Sequence, residues 1–291
     1  MIVTKSIADR VKEMPMLSVV STRLLELLGE NNYSIRDVVS VVENDAILTS
    51  KILRAANSVA YSPRVPITSI TAAINNMGEK VIMSIAIESC APKVFKDPLD
   101  GYMSDAGQMW DHSLCTAIGA RHLASHTKNE SSANLAFTAG LLHDIGKSVM
   151  SVILEGNTEE LLGQIDSNEA ISFLDAEKKI SGMDHAELGY ELAQHWKLPE
   201  QLAMAIRYHH HPGEVDDKYK ELVYTVHLGD ILSMMAGIGT GVDGLSYSID
   251  RTYKDYIDIE ENQLAIVVAD IQEEFAKTKQ AILGEDNEED S

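Results

Sequence analysis

Apolar residues in this chain recur at intervals of three and four, and no stretch alternates one by one over a strand's length. Leu17, Val20, Leu24, Leu27 and Leu28 fall on one face of a 3.6-residue helix. Ser34 with Asp37 has the spacing of a capping box opening the helix that carries Val38, Val39, Val41 and Val42. Asp45 caps a segment through Ile47, Leu48, Ile52 and Leu53. Pro63 and Pro66 then break the chain, and Ser69 opens a helix that stops at Gly78. With no period-2 pattern there is no sheet to build. The expected fold is all-α, a bundle in which an N-terminal helical subdomain packs with a second helical domain.

Ala91 to Gln108 holds Pro92, Pro98 and Gly101 among few ordered apolar positions, and marks the internal boundary. Beyond it helices are expected at Trp110–Ser125, Asn134–His143 and Glu169–Ile180. A second capping box, Asp184 with Glu187, opens a helix to Trp196. Pro199 fits the first turn of the next, which ends at His209. Glu221–Met235 follows, then a break at Gly237, Gly239, Gly241 and Gly244, and a last helix over Glu261–Ile282 leads into the acidic tail. The expected parts are 1–98, 99–236 and 237–291.

A hydrophobic content of 45% with 24% charged residues is that of a folding chain. The net charge of −21 argues against general nucleic-acid binding and against anionic membrane surfaces. No apolar run is read as approaching the roughly 20 residues of a membrane span. No export signal is read at the start, and Cys90 and Cys115 read as buried free thiols, so the expected location is cytoplasmic. Ser69–Gly78–Ile87 has the outline of a helix-turn-helix, but its second helix offers only Lys80 as a cation, and it reads as a packed hairpin.

The chemistry-bearing stretch is Gly140-Leu-Leu-His143-Asp144-Ile-Gly146-Lys147. A His–Asp pair among Leu141, Leu142 and Ile145 needs partners, because burying such groups unpaired is costly. His112, His185, His209, His210 and Asp230 also sit in apolar or capping contexts. Together they supply the imidazole and carboxylate mix that suits iron, manganese, zinc or nickel. His209 and His210 lie ~100° apart on a regular helix, so both turn inward only at a frayed end. His227, three before Asp230, shares its face as a supporting partner or substitute ligand. His122, His126, His195 and His211 read as surface residues.

In this order the residues resemble the HD superfamily of metal-dependent phosphohydrolases, and the chain as a whole resembles its HDOD branch of bacterial regulatory proteins. The N-terminal half carries that likeness through Asp45-Ala46-Ile47-Leu48, Leu53-Arg54-Ala55-Ala56-Asn57-Ser58 and Ile67-Thr68-Ser69-Ile70. The later half carries it through Trp110-Asp111-His112-Ser113, Asp184-His185-Ala186-Glu187-Leu188-Gly189 and Trp196-Lys197-Leu198-Pro199.

The resemblance implies one ion on His112, His143, Asp144 and Asp230. Asp144 would bridge to a second ion on His185, His209 and His210. It implies Lys147 and Arg207 as cations for a phosphate, Asp144 and Lys147 as the catalytic pair, and two-metal hydrolysis of a nucleotide or other phosphoester. It also implies signalling proteins as partners, with a non-catalytic regulatory module as the alternative. Two features depart from related enzymes. No Gly-Tyr-Pro follows the paired His, which tells against cyclic-di-GMP as substrate, and Gln108 stands four before His112 where an extra carboxylate ligand would be.

Overall fold

Short polar side chains start the helices where the sequence places them. Ser34 and Asp37 complete a capping box, as do Asp184 and Glu187, while Asp45 and Ser69 each accept from main-chain N–H groups of the turn they open. The computed structural model describes residues 7–30, 33–58, 61, 63–128, 132–167, 172–243 and 247–283, and among these there is no strand. Two isolated bridges, Leu99–Ser104 and Thr127–Ile257, are the only extended pairings there.

The first helices are α1 (Ile7–Glu13), α2 (Val19–Leu28), α3 (Ile35–Val42), α4 (Ala46–Ala56), α5 (Ile70–Met77), α6 (Glu79–Cys90) and α7 (Pro92–Lys96). The middle of the chain forms α8 (Gln108–Ala124), α9 (Ala133–Leu142), α10 (Gly146–Leu154), α11 (Thr158–Asp166) and α12 (Phe173–Ser181). Then come α13 (His185–His195), α14 (Glu200–Tyr208), α15 (Asp217–Met235) and α16 (Leu264–Leu283). The acidic tail beyond Leu283, Gly244 and Glu169 lie outside the described residues.

In α6, Val81 to Glu88 are buried without interruption, so no face of it is free to read a groove. The segment Ala91–Gln108 is packed instead of loose. Phe95 stands edge-on to Trp110, Tyr102 is fully buried, and the Gly101 N–H donates to Ser151 Oγ. Buried side chains from Val11 to Ile282 form one continuous cluster. Cys90 and Cys115 are free thiols.

Residues 133–154 have the length and hydropathy of a membrane span, contrary to the reading that no run approached one. Their most apolar window is 83% buried inside the protein, and it is broken by the His143–Ile145 turn. They are core.

Two close crossings set the site. Helices α8 and α15 meet at Gly119 and Gly229, where a Cβ on Gly229 would stand 2.8 Å from the Ala120 nitrogen. Helices α10 and α13 meet at Gly146 and Gly189, where a Cβ on Gly146 would lie 1.9 Å from the His185 carbonyl oxygen. The first crossing brings the helix of His112 against that of Asp230. The second presses the His143–Asp144 turn onto the start of α13, where His185 sits.

Candidate metal centre

His143 and Asp144 occupy the turn between α9 and α10, held among Leu141, Leu142 and Ile145, all buried. Five other side chains converge on them: His112 from α8, His185 from the first turn of α13, His209 and His210 from the end of α14, and Asp230 from α15. The helix ends at Tyr208 with His209 still in right-handed helical geometry as its cap, and the two neighbouring imidazoles both turn inward, their centroids 3.9 Å apart. None of the seven side chains is more than 3% exposed.

Asp144 lies between two sets of imidazoles. Its Oδ2 is 3.5 Å from His112 Nε2 and 3.4 Å from His143 Nε2. Its Oδ1 is 3.4 Å from His185 Nε2 and 3.5 Å from His209 Nε2. Asp230 Oδ1 adds a contact of 3.0 Å to His112 Nε2 and 3.6 Å to His143 Nε2. His210 closes the second set, with Nε2 2.9 Å from His185 Nε2. His112, His143 and Asp144 offer ligand atoms within 4.8 Å of one another, and so do Asp144, His185, His209 and His210.

The outer ring nitrogens show which way the imidazoles carry their protons. His112 Nδ1 donates to the Ile238 carbonyl, His143 Nδ1 to that of Gly140 and His209 Nδ1 to that of Ile206, each at 2.8 Å. A carbonyl accepts only, so each Nδ1 carries a proton and Nε2 is the ring atom turned to the carboxylates. His112, His143 and His209 Nε2, both Asp144 oxygens and Asp230 Oδ2 are buried without a hydrogen-bond partner. Ring nitrogens and carboxylate oxygens buried together in this way need protons or a metal cation between them.

Without a metal, protons partly serve. Burial pushes His143 down, but Asp144 and Asp230 outweigh it and hold the ring up to about 9. Burial likewise opposes the charge on His185, and Glu177 with Asp144 raises it to about 10. Burial lowers His209 to about 4 and drives His210 well below the usual imidazole range. Asp144 stays far below the usual carboxylate range despite burial, because His143 and Lys147 face it.

Lys147 is enclosed. Its ammonium donates to Asp243 Oδ2 at 2.6 Å and Thr240 Oγ1 at 2.7 Å, and forms an ion pair with Asp144 Oδ2 at 2.7 Å. Arg207 points elsewhere, its guanidinium 3.1 Å from Glu187 Oε1. Gln108 accepts from Ser104 Oγ and the Asp105 N–H, away from the centre. His227 is a prop: Nδ1 donates to the His209 carbonyl at 2.7 Å, and Nε2 accepts from the Asp250 N–H at 2.9 Å.

Sequence reasoning missed Glu177, Tyr102, Thr240, Asp243 and Tyr247. Glu177 of α12 accepts from His185 Nδ1 at 2.9 Å and from the His185 N–H at 2.8 Å. Tyr247 stacks on His210 with centroids 4.0 Å apart and donates to Asp243. Residues 238–243 and Tyr247 thus lie across the centre, tied down also by the Val242 N–H donating to the Tyr102 carbonyl. One signal for Glu177 was available: it stands four after Phe173 and three before Ile180, a core position on a helical face.

Fold and site together define a class: an all-helical protein that turns His and Asp side chains from α8 to α15 inward onto one place. A family model described as the HDOD domain matches residues 14–212, more than half of the chain, and the chain belongs to that family. Similar solved structures include an HDOD domain protein of unknown function from Geobacter sulfurreducens (TM-score 0.68, 22% identity, 95% of this chain and 96% of that one). A Marinobacter aquaeolei VT8 protein, provisionally named in signal transduction, matches with a TM-score of 0.75 at 21% identity, over 98% of this chain and 62% of that one. A Shewanella amazonensis SB2B protein, provisionally named a metal-dependent phosphohydrolase, matches at 0.51 and 18%, over 94% and 95%. At these identities the likeness is one of fold. A curated relative from Treponema pallidum (strain Nichols), itself uncharacterized, is 28% identical over 225 residues. That span is 76% of this chain and 42% of the relative, so the chain matches less than half of the relative's length.

Proposed function

We propose that this chain is a bacterial signal-transduction protein built around a buried centre for two divalent transition-metal ions, and that the centre supports phosphoester hydrolysis. The observation that carries the reading is the set of buried ring nitrogens and carboxylate oxygens without a hydrogen-bond partner on His112, His143, His209, Asp144 and Asp230, brought together at one place. His112, His143 and Asp230 would hold one ion and His185, His209 and His210 the other, with one Asp144 oxygen toward each. The donor set of imidazoles and carboxylates fits iron, manganese, zinc or nickel. Such ions, when bound, supply Lewis acidity toward phosphoryl oxygens and activate water.

The chain's own residues do the rest. Lys147 fixes the Asp144 carboxylate, and Asp243 already neutralises Lys147. Asp144, Asp230 and Glu177 then set three negative charges against four positive ones, a balance that favours an anionic ligand such as a nucleotide or other phosphoester. A cytoplasmic setting fits the two free cysteines.

The test is elemental analysis of untagged protein purified without added metal, beside Asp144→Ala. About two equivalents, lost in the variant, are expected. An intact fold with no metal in the wild type would sink the proposal. One specific observation favours a second reading, a regulatory module that works through protein partners and keeps the centre without turnover. The centre is closed, with all seven side chains at most 3% exposed and the Lys147 ammonium held by Asp144, Asp243 and Thr240. Phosphoester turnover by metal-loaded protein, abolished in Asp144→Ala, decides for hydrolysis. Silence across a broad panel decides for the module.

A further inference from the structure

Four imidazoles of the centre have their outer nitrogen held from behind, but not by the same chemistry. His112, His143 and His209 each rest on a neutral main-chain carbonyl. His185 rests on a carboxylate. Glu177 is fully buried, and its contacts are the His185 ring nitrogen, the His185 main-chain N–H and the Tyr102 hydroxyl, which donates to Oε1 at 2.5 Å. Among the described residues no lysine or arginine pairs with it. A buried carboxylate in that position needs positive charge close by. The imidazole it grips passes that demand to its far side, where Nε2 looks onto Asp144 Oδ1 and His210.

We infer that Glu177 is the positioning residue of the second ion: it orients His185 by gripping both its ring and its main chain, and so renders the two metal positions unequal. The inference rests on the metal-centre reading and deepens it. One carboxylate fixes both the ring and the main chain of His185 at the first turn of α13, so ligand direction and helix start are set together. An imidazole backed by a carboxylate is a stronger donor than one backed by a carbonyl, and losing such a partner costs metal affinity.

Glu177→Gln separates charge from shape. The glutamine oxygen accepts both His185 N–H groups, while its amide faces the Tyr102 hydroxyl, which turns to accept. Titration with Zn2+ of metal-stripped full-length protein, followed by calorimetry and elemental analysis, reads the result. The wild type takes up two equivalents. Glu177→Gln is expected to keep one at wild-type affinity and bind the second about 10–100-fold more weakly. Tyr102→Phe, which leaves the carboxylate in place, is expected to keep both. Two equivalents at unchanged affinity in Glu177→Gln would overturn the inference. So would loss of both ions together with a lowered Tm, which marks a merely structural role, or loss of the second ion in Tyr102→Phe. A wild type that binds no metal overturns the metal-centre reading itself and this inference with it.

Discussion

His143 and His185 carry protons in the metal-free protein that a metal must displace. Their values of about 9 and about 10 lie above the ordinary imidazole value, so near pH 7.5 both rings are charged and paired with Asp144, Asp230 and Glu177. Metal uptake at that pH is therefore expected to release about two protons, read by calorimetry in buffers of differing ionisation heat. His209, at about 4, is already neutral and contributes none. The sign for stability follows. A raised imidazole stabilises the metal-free fold fully below its unfolded value of about 6.5, and the contribution is lost as pH rises through 9 to 10. Metal affinity should rise over the same window.

The seven converging side chains were legible in the sequence as candidates because each is a His or Asp set where helical periodicity calls for an apolar or capping residue. Glu177 was passed over, because Lys178 and Lys179 beside it mask its core spacing to Phe173 and Ile180, and its packing against Tyr102 and His185 gives it its role. The reading of Lys147 as a phosphate contact had no means of seeing Asp243, which lies 96 residues away in sequence.

At the scale of elements, the two glycine crossings decide whether the ligands meet at all. At Gly146 a methyl group would collide with the His185 carbonyl and the Gly189 main chain, neither of which swings aside as a side chain does. Gly146→Ala should force α10 and α13 apart, costing more than about 3 kcal/mol by chemical denaturation and lowering metal content along with it. Gly189→Ala meets only the Ile206 side chain at 2.7 Å among close contacts under 3 Å, and should cost less.

Helix starts were legible from Ser34, Asp45, Ser69 and Asp184, because a cap is a local interaction written in four residues. The packing of Ala91–Gln108 was not. Its order comes from Tyr102, Phe95 and Gly101 meeting α8, α10 and α12, partners too distant in sequence for any window to hold.

For the molecule as a whole, a centre assembled from α8, α9, α13, α14 and α15 lies under residues 238–243 and Tyr247. A chelator in solution has nothing to grasp, since no ligand side chain reaches the surface. Ion exchange must then wait for the fold to breathe, and its half-time reports local opening, whatever the equilibrium affinity. Stripping by excess chelator is expected to be slow, with a rate independent of chelator concentration, and Tyr247→Ala should speed it. The ion such a protein carries would then be a record of the metal present when the chain folded, kept long after the surrounding pool has changed.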